Sequence, residues 1–293
     1  MPDKSKIAGP LPTTAPRSTN IPARRQPPAD PNRLPEFEVI FRQNDPDDPK
    51  NWPMWYRMWA IATVSFSAWV VVLFSTSYTG ALPGLMDEFK VTKTYATMGM
   101  TTYLLGLAVG SLIVAPMSEL FGRRIVYLVG LAIWAIFIIP CGVAECLNTI
   151  LANRFVSALF GAALISNGPG TVVDVSKPEY LAMGMSLFSL GPFNGPVLGP
   201  LIGGFVYEYH GWRWTNWIVL VLAGLAFSMM MTIKETYAPR ILRKRAEKLR
   251  KETGDARWCD RLCYSLPNRL CGSSTSGTRS FTVSCICASS LIR

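Results

Sequence analysis

Polar and apolar residues along this chain come in long blocks rather than in short alternation. Six apolar runs stand out, near residues 59–78, 96–116, 125–144, 150–173, 181–207 and 215–233, and only the fourth contains a charged residue. Each is close to the roughly 20 residues that an α-helix needs to cross a hydrocarbon layer about 30 Å thick. A soluble bundle would place a polar stripe on every helix, and these runs have none. The pattern predicts an all-α membrane protein with six transmembrane helices over residues 58–233. Residues 1–57 are rich in Pro, Ser, Thr, Asn and Arg with no periodic apolar face, so a disordered N-terminal arm is expected there. Its last part holds Trp52, Trp55 and Tyr56, with Trp59 just beyond, a density of aromatics suited to the headgroup layer.

Composition agrees. Charged residues make up 16% of the chain and hydrophobic ones 49%, against about 25% charged in soluble domains. The net charge of +10 does not call for nucleic acid, because basic loops flanking membrane spans give the same total. With the N-terminus cytoplasmic, the inner segments hold 21 Lys and Arg and the outer loops hold three, Lys90, Lys93 and Arg213. The positive-inside bias therefore predicts a cytoplasmic N-terminus, with the lipid bilayer as first partner and the plasma membrane as the expected location. No secretory leader opens the chain, so the first span doubles as the targeting signal.

Residues 234–258 form a basic, helix-prone segment expected to lie solvated or on the membrane surface at the cytoplasmic side. Residues 259–293 then change character. They carry five of the seven cysteines, much Ser and no span-length apolar run. Their cysteine spacing matches no zinc pattern, and His210, the single histidine, falls on the other side of the membrane. The expectation is a tail foreign to the fold, read out of frame or through an intron. No cofactor or metal is expected, and no nucleophile–base pair or phosphate loop marks an enzyme.

Chemistry concentrates in two places. Pro-Met-Ser-Glu-Leu-Phe-Gly-Arg-Arg (116–124) joins the second and third runs. Gly122 permits a tight turn, Arg123 and Arg124 follow it, Glu119 is within reach of a neighbouring base, and Asp174 stands where it can face either arginine. In the fifth run, Gly191, Gly195, Gly199 and Gly203 recur every four residues, interleaved with Pro192, Pro196 and Pro200. Such spacing lines glycines along one face where another backbone can approach, while the prolines remove helix hydrogen bonds. Arg154 is a charge that must enter the membrane. It either snorkels to the outer headgroups or faces a cavity or partner, and the sequence leaves both open. Asn167, Asn194 and Asn216 lie in apolar spans, where amides seek partners. No Asp or Glu lies deep in any span, so nothing in the residues supports a polyamine cargo.

These motifs carry a resemblance. Ala-Pro-Met-Ser-Glu-Leu-Phe-Gly-Arg-Arg (115–124) resembles the signature loop of the major facilitator superfamily, with Ala115 for the usual Gly and Glu119 for the usual Asp. Arg154 with Gly161 resembles its fourth-helix motif, and residues 190–204 resemble the fifth-helix motif of its proton-coupled antiporters. Asp-Pro-Lys-Asn-Trp (48–52) and Gly-Trp-Arg-Trp-Thr-Asn-Trp (211–217) look like the fungal drug:proton and polyamine branch. The resemblance implies the N-terminal six-helix half of a twelve-span fold, and proton-driven export of small molecules by alternating access. It further implies a gate network of Glu119, Gly122, Arg123, Arg124 and Asp174, a part in proton coupling for Arg154, and a fifth helix that slides or seals on its glycines; Asn167 and Asn194 remain candidates for coupling or cavity roles beside their reading as contacts between helices. The competing expectation is a non-transporting fragment that self-associates through a glycine face left uncovered.

Overall fold

The computed structural model describes residues 41, 45 and 47–253; the arm up to residue 40 and the tail at 259–293 lie outside the described residues. Eight helices follow one another: α1 Met54–Gly80, α2 Leu82–Phe89, α3 Lys93–Phe121, α4 Arg123–Val143, α5 Leu147–Val175, α6 Leu181–His210, α7 Trp212–Met231 and α8 Ala238–Thr253. No strand occurs among the described residues. By length and composition, α1, α3, α4, α5 and α7 are long and apolar enough to cross a membrane. The sixth predicted span, α6, has 30 residues, about 45 Å of helix, but its glycines and prolines dilute its apolar content.

The helices outrun their apolar cores. α1 starts at Met54, so the expected arm boundary at 58 falls inside it; Pro53 ends the preceding loop and its fixed φ suits a helix start. The short α2 was not anticipated. It caps the end of the bundle where α1 finishes, sealing Leu85 and Ala81 against Tyr78, Ile150 and Trp212.

α1 is the central element, packed against α3, α5, α6 and α7. Its tightest seam is with α6. A Cβ at Gly191 would lie within 2.6 Å of the Ser65 hydroxyl, one at Gly195 within 2.6 Å of Val72, one at Gly199 within 2.7 Å of Thr76, and one at Gly203 3.0 Å from the Ser77 carbonyl carbon. The four glycines are all buried. The expectation of an uncovered glycine face is therefore wrong: the stripe is spent within this bundle, letting the α6 backbone lie directly on α1. Of the three prolines, Pro192 bears on the same seam, while Pro196 and Pro200 are exposed. Pro192 lacks the N–H that would bond to the Phe188 carbonyl, and the Ser65 hydroxyl donates to that carbonyl instead, at 3.0 Å.

A second glycine seam, unforeseen in the sequence, joins α3 to α5, where Gly106 and Gly110 lie against the carbonyls of Phe155 and Leu159. Between the seams, Phe74, Tyr103 and Trp134 pack edge to face at 5.4 and 5.9 Å. The Trp134 indole N–H donates to the Tyr103 hydroxyl at 3.2 Å, which itself donates to the Val71 carbonyl at 3.0 Å. Two polar tips are thus satisfied inside an apolar core.

Candidate functional site

The chain reverses between α3 and α4 over a single residue. Gly122 has φ +86°, a region that side chains disfavour. A Cβ there would also sit 2.7 Å from Nη1 of Arg240 and from Oε2 of Glu235. Conformation and space both demand glycine. The reversal puts two cations into the first turn of α4, where the helix dipole disfavours them; a carboxylate answers the first and a backbone carbonyl the second. Arg123 donates from Nε to Oδ2 of Asp174 at 2.6 Å and from Nη1 to the Asn167 carbonyl at 3.2 Å. Its guanidinium lies flat on Gly170, where a Cβ would come within 2.8 Å of Cζ, and 5.5 Å from the Tyr237 ring. Arg124 donates from Nη2 to the Met231 carbonyl at 3.0 Å, and its backbone N–H points to Oε1 of Glu235 at 3.4 Å. Glu235 also faces Nε of Arg240 at 3.9 Å.

A polar layer backs this pair. Ser118 of α3 donates to Oδ1 of Asn167 at 3.0 Å, and the Tyr127 and Thr171 hydroxyls share a 2.6 Å bond. The Asn167 amide nitrogen is buried with no partner among the described residues. Arg57, 6% exposed, donates from Nε to the Val175 carbonyl at 3.0 Å, so α1 closes over the end of α5. Burial, with a smaller contribution from the nearby Glu119 charge, pushes the Tyr237 hydroxyl above its ordinary value, so it stays neutral and hydrogen-bond competent. The expected basic surface segment is α8. Its inner side is docked rather than solvated: Ala246 is buried, and Nη1 of Arg245 bonds to Oδ2 of Asp45 at 2.5 Å.

Of the expected gate residues, Gly122, Arg123, Arg124 and Asp174 come together, and Asn167, a coupling or cavity candidate, lies beside them. Glu119 does not join them. It is exposed on the last turn of α3 and makes no ion pair among the described residues, because Asp174 takes Arg123 and the Met231 carbonyl takes Arg124.

Arg154 lies on α5 about 30 Å from Asp174 at a rise of about 1.5 Å per residue. It is 1% exposed, which removes the snorkelling alternative. Nε donates to the Gly99 carbonyl at 3.0 Å, and Nη2 to those of Phe74 and Ser75 at 3.1 and 3.3 Å. The rings of Tyr78, Phe74 and Tyr103 surround Cζ at 4.3, 4.5 and 5.2 Å. One side chain thereby rivets α5 to α1 and α3.

A reversal glycine is thus followed by paired arginines, the first answered across the bundle by a carboxylate on α5. The sequence matches the Major Facilitator Superfamily over residues 64–286. The chain belongs to the major facilitator superfamily. It is 36% identical to an efflux pump, radE, of Floropilus chiversii over 72% of this chain and 40% of that protein. It is 37% identical to polyamine transporter 4 of Saccharomyces cerevisiae over 77% of this chain and 35% of that one. The fold is similar to that of a proton:xylose symporter of the same superfamily, with a TM-score of 0.57 at 13% identity over 72% of this chain and 51% of the symporter. The chain thus spans about half or less of the proteins it resembles. The superfamily match reaches residue 286 and so runs through most of the stretch from 259 that was expected to be foreign to the fold.

The other predicted residues of this superfamily member fall elsewhere. Asn194 is exposed on the face of α6 away from α1 and, among the described residues, donates only to the Leu190 carbonyl of its own helix, at 2.7 Å. Gly191, Gly195, Gly199 and Gly203 line the α1–α6 seam, while Pro196 and Pro200 are exposed. The sequence reading missed Glu235, Tyr237 and Arg240, which complete the site from the α7–α8 connection. Their signal was present in Lys-Glu-Thr-Tyr-Ala-Pro-Arg (234–240), where an acidic residue interrupts a basic run just before a proline that starts a helix.

Proposed function

We propose that this chain provides one six-helix half of a proton-coupled exporter of small molecules, of drug or polyamine type, working by alternating access. The observation that carries this reading is the Arg123–Asp174 pair at 2.6 Å, set in a part-buried mouth and tied through Arg124 and Glu235 to the α7–α8 connection. Elements α4, α5, α7 and α8 are joined there by the side chains of Arg123, Arg124, Asp174, Glu235 and Arg240, polar contacts that can break and re-form as helices rock. The seams of α1–α6 and α3–α5 keep the rest rigid. The names of the relatives, an efflux pump and a polyamine transporter, favour export of small organic molecules. The excess of Lys and Arg at this mouth favours placing it on the cytoplasmic side, with the N-terminus inside and the plasma membrane as host.

Within the spanning helices, the described carboxylates, Glu119, Asp174 and Glu208, lie near helix ends. The middle of this half therefore suits an apolar or weakly charged solute better than a polyamine. The test is transport by the chain in proteoliposomes under an imposed pH gradient, with a lipophilic dye and labelled spermidine as separate cargoes. Gradient-dependent accumulation is expected, stronger for the dye, and Asp174→Asn should slow it about tenfold, a loss of roughly 1.4 kcal/mol. No gradient-dependent movement of either cargo would overturn the proposal.

A further inference from the structure

At the end of the bundle opposite the motif loop, a small cavity lies between α1, α2, α5 and α7, lined by Ser77, Tyr78, Arg154, Trp212, Thr215 and Asn216 among others. Its polar wall has two unspent elements. The Thr215 hydroxyl is fully buried with no hydrogen-bond partner among the described residues. Arg154 uses Nε and Nη2 on carbonyls, while its Nη1 has no acceptor among the described residues. Nor does any carboxylate there pair with this guanidinium. At that end Glu88 is already committed, binding Nη1 of Arg213 at 2.7 Å and accepting from the Trp212 indole N–H at 2.5 Å.

A guanidinium cannot shed its proton in a protein, so the charge at Arg154 is fixed. Carbonyl dipoles and ring faces lower its cost, but neither neutralises it, and a buried ion without a counter-charge is strongly disfavoured. Water would satisfy the free N–H and hydroxyl groups but not the charge. From these observations we infer that the cavity binds a small monovalent anion of chloride size. Nη1 of Arg154 and the Thr215 hydroxyl donate to it, with Trp212 and Leu85 beside it. A single cation favours a single negative charge, and the apolar side of the wall formed by Leu85, Ile150 and Ala81 favours a small ion over the larger, doubly charged phosphate or sulfate. The site does not depend on the transport reading, because it lies within one six-helix bundle.

The test uses the purified full chain in detergent. Its unfolding midpoint is followed against sodium chloride, sodium bromide and sodium gluconate at equal ionic strength. Chloride and bromide should raise the midpoint saturably, and gluconate should not. Thr215→Val keeps the side chain's shape and removes one hydrogen bond to the ion, so the half-saturating chloride concentration should rise about tenfold or more. Identical midpoints in the three salts would overturn the inference, as would an unchanged chloride response in Thr215→Val. Occupancy by water alone produces the first of those results.

Discussion

Arg123 sits at the rim of the bundle with a carboxylate 2.6 Å from its Nε, whereas Arg154 lies two turns into α5, 1% exposed, among carbonyl oxygens and aromatic rings. Each ties α5 to neighbouring helices, but the consequences differ. At the rim, water can replace either partner at modest cost, so the contact suits a joint that opens. In the interior the acceptors of Nε and Nη2 are backbone groups that move only with their helices. The rim holds a latch and the interior a rivet.

The largest effect should come from Arg154→Lys. The ammonium keeps the buried charge but loses the planar fork that reaches α1 and α3 together. Destabilisation on the order of 3 kcal/mol is expected from leaving that charge poorly solvated. Arg154→Met should cost less than Arg154→Lys, because the Gly99, Phe74 and Ser75 carbonyls keep their helical donors and no charge remains to bury. Unfolding midpoints in detergent measure both. A lysine variant more stable than the methionine one would show that charge, not shape, is what the rivet needs.

At the latch the numbers shrink. Asp174→Asn keeps an acceptor for Arg123 but removes the charge, which should cost about 1–2 kcal/mol for a pair whose side chains are 13% and 21% exposed. Combining Arg123→Asp with Asp174→Arg should recover part of the loss relative to either single change, as a double-mutant cycle reports. Full additivity would mean that the two side chains do not interact.

How the two regions were read from sequence follows from what they bind. Arg123 and Asp174 were legible together because both charges flank one mouth of the predicted span pattern. The partners of Arg154 were not, since backbone carbonyls have no sequence signature; only its presence in an apolar run could be seen. Glu235 escaped because it lies 111 residues beyond Arg124 in a segment dominated by bases. The blocks of apolar residues gave the number and order of spans. They could not show that the Gly191–Gly203 stripe is covered by α1, because four-residue spacing marks a close approach without saying which helix approaches. Gly106 and Gly110 form an equivalent seam from one pair, with no prolines to draw attention to it. The eight residues of α2 are too few for a clear period.

Salt should separate latch from rivet without a further mutation. Raising potassium gluconate from 0.1 to 1 M shortens the screening length from about 10 Å to about 3 Å. Gluconate is used so that the anion site near Arg154 is left out of the comparison. The deficit of Asp174→Asn relative to the unmodified chain should narrow, since the wild-type pair weakens. The deficit of Arg154→Lys should stay constant, because screening ions do not enter the bundle. Equal narrowing of both would mean that water reaches the interior arginine.

The smallest effect is expected at Glu119. The motif resemblance makes it a member of the gate, yet it is exposed and forms no ion pair among the described residues. Its only electrostatic mark is on Tyr237, whose hydroxyl it helps to keep protonated. Glu119→Gln should therefore leave the unfolding midpoint unchanged, as for most surface substitutions, and should lower the Tyr237 titration midpoint slightly, since a neighbouring negative charge is gone. Ultraviolet difference absorbance in alkali, with Tyr237→Phe to assign the signal, reads the shift. If Glu119→Gln instead destabilises the chain as much as Asp174→Asn, Glu119 shares the load of the latch, and the division between a paired rim and a free neighbour falls.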